Sequence, residues 1–166
     1  ALLYDSMAAF YTACGSFMGQ NYGAGKRKRV KNSYLISLAY SFGIGLVGGI
    51  CLVIFGRQFL GLFTNDAAVI DAGMKRLTIM GFSYGFSAFM DASIAASRAL
   101  GKSFVPTITV ILGSCVFRMI WVNTVFAYFR TIPSLYLLYI FSWGITATVE
   151  IIYFIHVYKN TKIGIA

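Results

Sequence analysis

The sequence predicts an all-α membrane protein, a bundle of about five transmembrane helices. Three observations carry that expectation. Residues 32–56 form a run of 25 without one charged side chain, and further long apolar runs follow. About 20 apolar residues in a helix cross the hydrocarbon core of a bilayer. Hydrophobic residues make up 58% of the chain and charged residues 11%, where a soluble domain carries about 25% charge. Mean hydropathy is +0.75. A closed β-barrel would need alternating segments of about ten residues, and these runs are longer and do not alternate.

The spans follow in order within a single transmembrane domain, residues 1–166. The first covers about 1–21, with Asp5 near its outer end. The second covers 32–55, the third 77–100, the fourth 105–126 and the fifth 134–158. Each is expected to be helical, because backbone polar groups inside a bilayer must pair within the segment. Between the second and third spans, residues 57–73 are too polar to cross. There Phe59, Leu60, Leu62 and Phe63 fit a short interfacial helix, and Asn65–Asp66 reads as a helix cap. The chain opens inside an apolar stretch with no initiator Met and no basic n-region, so residues 1–21 do not read as a signal peptide. The expectation is a piece of a larger membrane protein.

Loop charges set the orientation. Lys26, Arg27, Lys28, Arg29 and Lys31 crowd the first connection, Arg98 and Lys102 flank the third, and Lys159 and Lys162 follow the last span. These hold nine of the 14 Lys and Arg, and the positive-inside rule puts them in the cytoplasm. Arg57, Lys75, Arg76 and Arg130 lie on the other side, diluted by Asp66 and Asp71. The net charge of +9 is therefore a topological signal, and no nucleic-acid partner is expected. The immediate partner is membrane lipid.

Glycines fall four apart at Gly15, Gly19 and Gly23, at Gly45 and Gly49, and at Gly81 and Gly85. Small residues at that spacing let another helix backbone approach closely, so Gly19 and Gly23 are expected to sit in a tight helix contact.

Apart from Asp5 and His156 near span ends, four ionisable side chains fall inside the spans: Asp91, Arg98, Arg118 and Glu150. Each such charge costs about 2.5–3.5 kcal/mol near the bilayer centre. Arg98 is near a helix end, where its stem can snorkel to the interface. Asp91 is roughly 14 Å from that end at the helical rise, too deep for so short a side chain. Tyr84, Ser87 and Asp91 recur at helical spacing and define one polar stripe on the third span. Glu150 lies at comparable depth on the fifth span. A buried Arg needs an acceptor, so Arg118 is expected to pair with Asp91 or Glu150. The remaining choice is between a structural ion pair and a carboxylate that exchanges a proton or a bound cation.

Other chemistry is poorly supplied. Gly23-Ala24-Gly25-Lys26 lacks the spacing of a phosphate-binding loop. His156 is the only histidine, and Cys14, Cys51 and Cys115 are unclustered and read as packing residues. No enzyme activity, metal site or cofactor is expected.

One stretch is more specific. Gly19-Gln20-Asn21-Tyr22-Gly23-Ala24-Gly25-Lys26 resembles the end of the second and eighth helices of multidrug and toxic compound extrusion (MATE) transporters. The resemblance continues through Leu62-Phe63-Thr64-Asn65-Asp66, Arg98-Ala99-Leu100-Gly101-Lys102 and Arg118-Met119-Ile120-Trp121. Ile120 stands where the family usually has Pro, and Ala99 where it has Gly. The resemblance implies helices eight to twelve of a twelve-helix protein, a C-terminal lobe without its first helix. The missing N-terminal lobe is then a partner. It also implies export of amphipathic organic cations across the plasma membrane, with H⁺ or Na⁺ as the coupling ion. In that reading Asp91 and Glu150 are the ion-coupling carboxylates, Arg118 is their electrostatic partner, and Gln20 and Asn21 line a cytoplasmic gate. Tyr84 and Ser87 form a polar stripe in the cavity. The alternatives are a lipid-linked oligosaccharide flippase of the same superfamily and a non-transporting scaffold or inactive fragment.

Overall fold

Long apolar runs separated by basic turns fold into long helices. The computed structural model describes residues 2–161, apart from the side chains of Leu2 and Phe82. Ala1 and Lys162 lie outside the described residues. Helix α1 spans Leu2–Gly23, α2 Arg27–Ile54, the short α3 Gly56–Gly61 and α4 Ala67–Ala99. A long irregular helix, α5, covers Phe104–Phe129, and α6 covers Ile132–Asn160. The described residues contain no strand.

The elements begin and end where local chemistry says they should. Helices α1 and α4 both stop at their basic ends in a Schellman motif. The Lys26 amide donates to the Asn21 carbonyl at 2.8 Å and the Gly25 amide to the Tyr22 carbonyl at 3.0 Å. At the end of α4, Lys102 donates to the Ser97 carbonyl and Gly101 to the Arg98 carbonyl. This geometry requires positive φ at one residue, and Gly25 (69°) and Gly101 (75°) supply it. Asp66 caps α4, its carboxylate accepting from the Ala68 amide at 2.8 Å. Helix α4 therefore starts ten residues before the expected third span. Its first turns carry Asp71, Lys75 and Arg76, and the Arg57–Asp71 ion pair ties them to α3.

Helix α4 is central and packs on α1, α2 and α6. The bundle buries small and hydroxylated residues and exposes large apolar ones. Ser41, Ser83, Ser87, Ser93 and Ser142 are fully buried, whereas Ile36, Val47, Ile54, Met119 and Ile152 are exposed. That inversion suits a lipid solvent, in which association relies on close packing and hydrogen bonds between helices. Tyr34 and Ser93 join α2 to α4 through their hydroxyls at 2.9 Å. Ser37 of α2 donates to the Phe10 carbonyl of α1 at 3.2 Å. Cys14 is buried and its thiol donates to the Ser33 carbonyl, but Cys51 and Cys115 are exposed, so only the first is a packing residue within this bundle.

Three helices are long and apolar enough to cross a membrane by length and composition: α2, α5 and α6. Helices α1 and α4 are long but less apolar. Much of α4 faces other helices, and α1 turns polar side chains toward a cavity, so neither relies on lipid-facing apolar surface along its whole length.

The tight helix contact is not where the first glycine series put it. Gly23 has open space around it and Gly19 only an ordinary contact with the Ala99 carbonyl, 3.9 Å from where a Cβ would lie. The close approach is between α2 and α4. A Cβ on Gly49 would run into the Gly81 carbonyl, and one on Gly81 would lie 3.1 Å from the Gly49 carbonyl. Helix α1 meets this pair one turn away, where Met7 fills the space over Gly45.

Helix α5 has two π-helical stretches, Ile111–Val116 and Val122–Phe126, on either side of Phe117–Trp121. Such turns free backbone carbonyls from the α ladder. The Gly113 carbonyl accepts from Ser142 of α6 at 2.7 Å. The helix is thus irregular around Ile120 although no Pro is present there.

Candidate functional site

Helices α1 and α5 both flank α4 without closing on one another. The gap between them is a cavity of about 530 Å³, lined among others by Tyr4, Tyr11, Thr12, Ser16, Asp91 and Arg98. Helix α1 supplies the first four at spacings of seven and four or five residues, which is one helical face. Asp91 and Arg98 are seven residues apart on α4 and share a face for the same reason. The upper part of α5 contributes Val110.

Asp91 is the acidic centre of this cavity. The phenols of Tyr4 and Tyr11 line the same cavity and act on its carboxylate. The two rings stand edge to face with centroids 6.5 Å apart. The second carboxylate oxygen, Oδ2, is buried with no partner. Arg98 is the cation whose charge acts on Asp91. A carboxylate with a buried, unpartnered oxygen beside two phenols in a cavity of this size can hold a proton, a small cation or the charged end of an organic cation.

Glu150 is placed differently. It is 0% exposed, does not line the cavity, and has neither oxygen hydrogen-bonded. Its neighbours in the bundle are set by register. Ala147, one turn away, shares a buried cluster with Met90 and Ile94, and Phe154 belongs to the one that includes Ser93's neighbour Ala92, Ala96 and Leu100. Glu150 therefore lies at the level of Ser93–Ser97 of α4. The Ser97 hydroxyl is also buried and unpartnered. Thr109 of α5 and the Arg98 charge act on Glu150 as well, so Arg98 stands in the field of both carboxylates.

Arg118 is a correction to the expected pairing. Its Nε donates to the Ser142 hydroxyl at 3.2 Å, and its guanidinium lies 4.6 Å from the centre of the Tyr139 ring. Among the described residues the ion pair present is Arg57–Asp71. The reason is depth. Arg118 is fourteen residues from the start of α5, roughly 21 Å at the helical rise, whereas Asp91 lies roughly 14 Å from the same end of the bundle. Helix α6 offers Arg118 a hydroxyl and an aromatic face at its own level.

The polar stripe divides. Tyr84 packs its ring against Trp143, centroids 6.3 Å apart. Ser87 is fully buried and spends its hydroxyl on the Tyr84 carbonyl at 2.9 Å. Neither lines the cavity, which stops at Met90 and Asp91. At the basic end Gln20 is exposed. Asn21 is buried, its amide donating to the Phe17 carbonyl of its own helix at 2.8 Å. Sequence reasoning missed Tyr4 and Tyr11, and gave Arg98 only a snorkelling role. The spacing of seven between Tyr4 and Tyr11, and between Asp91 and Arg98, was the available signal.

A family model named MatE matches residues 1–129. The chain belongs to the MatE family. The match covers α1 to the end of α5 and includes Asp91, Arg98 and both Schellman glycines, while α6 and Glu150 lie beyond it. The chain is also similar to a solved structure described as the inward-facing conformation of a multidrug resistance MATE family transporter of the MOP superfamily. That likeness has a TM-score of 0.80 at 17% identity and covers 96% of this chain, so it extends through α6. The chain spans 38% of the length of that structure's chain. No curated protein matches the sequence. A MatE member with helices of this length and hydropathy is a multi-pass membrane protein.

Proposed function

We propose that the chain is part of a cation-coupled multidrug antiporter of the plasma membrane. It exports amphipathic organic cations and takes H⁺ or Na⁺ in exchange. The observation that carries the reading is Asp91, a carboxylate with one unpartnered oxygen on the wall of a cavity of about 530 Å³. That volume falls within the usual range for small-molecule sites. Tyr4 and Tyr11 give the cavity aromatic faces suited to a cation. MatE membership supports a transporter.

In this reading Asp91 exchanges its ion as the cavity changes access, and Arg98 holds the local charge near balance when the ion leaves. Arg118, engaged by Ser142 and Tyr139, keeps α5 against α6. Gln20 and Asn21 stand at the basic end of α1, where a cytoplasmic gate would close. Transport needs two lobes moving around a central site, so the activity belongs to the whole transporter. The test is export of a fluorescent organic cation from vesicles carrying that transporter, with an imposed H⁺ or Na⁺ gradient. Export should follow one of the two gradients and stop when it is collapsed. Export that continues at the same rate with neither gradient would overturn cation coupling.

A further inference from the structure

We infer that a second pocket, at the basic end of α4 and α6, binds the phosphate of an anionic phospholipid headgroup. The pocket is a cavity of about 480 Å³ whose lining includes Tyr22, Leu100, Lys102, Tyr153, His156 and Asn160. It is separate from the Asp91 cavity, with which it shares no lining residue. The inference does not rest on the proposed transport function.

The donor set selects an anion. Lys102 brings an ammonium group with three N–H donors, and His156, Asn160 and the tyrosines add further donors. The chain's five carboxylates are Asp5, Asp66, Asp71, Asp91 and Glu150, and none of them lines the pocket. The backbone fixes the arrangement. Lys102 follows Gly101 in the Schellman turn, which aims the chain away from the end of α4. The Asn160 amide nitrogen lies 2.9 Å from Nε2 of His156, which holds the ring in place one helical turn back. Arg27 braces the wall from α2, donating to the Tyr158 carbonyl at 3.0 Å and lying 4.9 Å from the centre of the Tyr158 ring. Arg27 and Lys102 offset the negative ends of α6 and α4, which alone would disfavour an anion.

Position selects a lipid over a soluble anion. The pocket lies where membrane-spanning helices end, the level at which Tyr side chains meet headgroups. Leu100, 2% exposed, closes the floor of the pocket. Lys26 and Arg29, sequence neighbours of Arg27, are exposed. The positive-inside rule makes this the cytoplasmic end, where the leaflet is rich in anionic lipid and basic pockets between helices take its headgroups.

The test is thermal unfolding of the purified protein in neutral detergent micelles. Micelles doped with phosphatidylglycerol should raise the midpoint by about 3 °C or more, and phosphatidylcholine at the same mole fraction should not. The rise should fall by at least half in the double variant Lys102→Gln, His156→Gln. It should persist in Lys28→Gln, which removes a charge outside the pocket, and in Lys102→Arg, which keeps one inside it. All three positions are exposed, so folding is not at stake. An equal rise with phosphatidylcholine, or an equal loss in Lys28→Gln, would overturn the site. A full rise with inorganic phosphate alone would assign the pocket to a soluble anion and overturn the lipid.

Discussion

Asp91 and Glu150 sit at similar depth, yet only Asp91 reaches a cavity. Both stood out in the sequence because a carboxylate inside an apolar run is rare and costly. Their surroundings were not legible. Tyr4 meets Asp91 only because α1 packs across α4, and a tyrosine in an apolar helix carries no mark of that contact. Arg98 near a helix end reads as a snorkelling residue until the cavity beside it is seen. For Glu150, full burial with no hydrogen bond leaves a charge answered only by the field of Arg98, and that cost is larger than the loss of a contact. Glu150→Gln keeps the shape without a charge. We expect it to leave the thermal midpoint in detergent unchanged or higher, while Glu150→Lys lowers it by several degrees. A drop with Gln as large as that with Lys would show that partners hold the carboxylate. Tyr4→Phe removes the phenol that faces Asp91 across the cavity. The expected result is a small change in stability with altered ion-driven export.

Helix number and order follow from charge and hydropathy, but which faces meet does not. Glycines four apart occur on three helices, and the spacing alone favoured Gly19 and Gly23. The structure puts the backbone contact at Gly49 and Gly81, where a carbonyl of each helix occupies the space a side chain would need. Gly81→Leu should therefore separate α2 from α4 and lower folded yield, while Gly23→Leu is tolerated. Size-exclusion profiles of the two variants in detergent decide this, and equal profiles would contradict it. The turn glycines act differently. Gly25 and Gly101 have positive φ, so Ala at either position costs about 1–2 kcal/mol through backbone strain alone. The resemblance to the family around Gly25 and Gly101 thus has a local physical reason, the ending of a helix. The π-helical turns of α5 had no sequence signature, since neither Pro nor a Gly pair marks them.

At the scale of the molecule, α4 is the axis on which α1, α2 and α6 assemble, and α5 stands off from α1 to leave the Asp91 cavity open. MatE membership places this arrangement in a transporter family, and the matched structure is well over twice as long as the chain. An arrangement with one such bundle has half a cavity and nothing to rock against. The 166-residue chain reconstituted alone should therefore export no dye under an ion gradient. Coupled export by it as a monomer would contradict the two-lobe reading. The most direct measurement concerns Asp91 in the whole transporter. Asp91→Asn removes the charge and the exchangeable proton but little volume. Thermal stability and gradient-driven export of an organic cation should be measured on the same preparation. Lost export with an unchanged thermal midpoint is the expected result. Full export at an unchanged midpoint would contradict the assignment, and a collapsed midpoint would make Asp91 a structural residue.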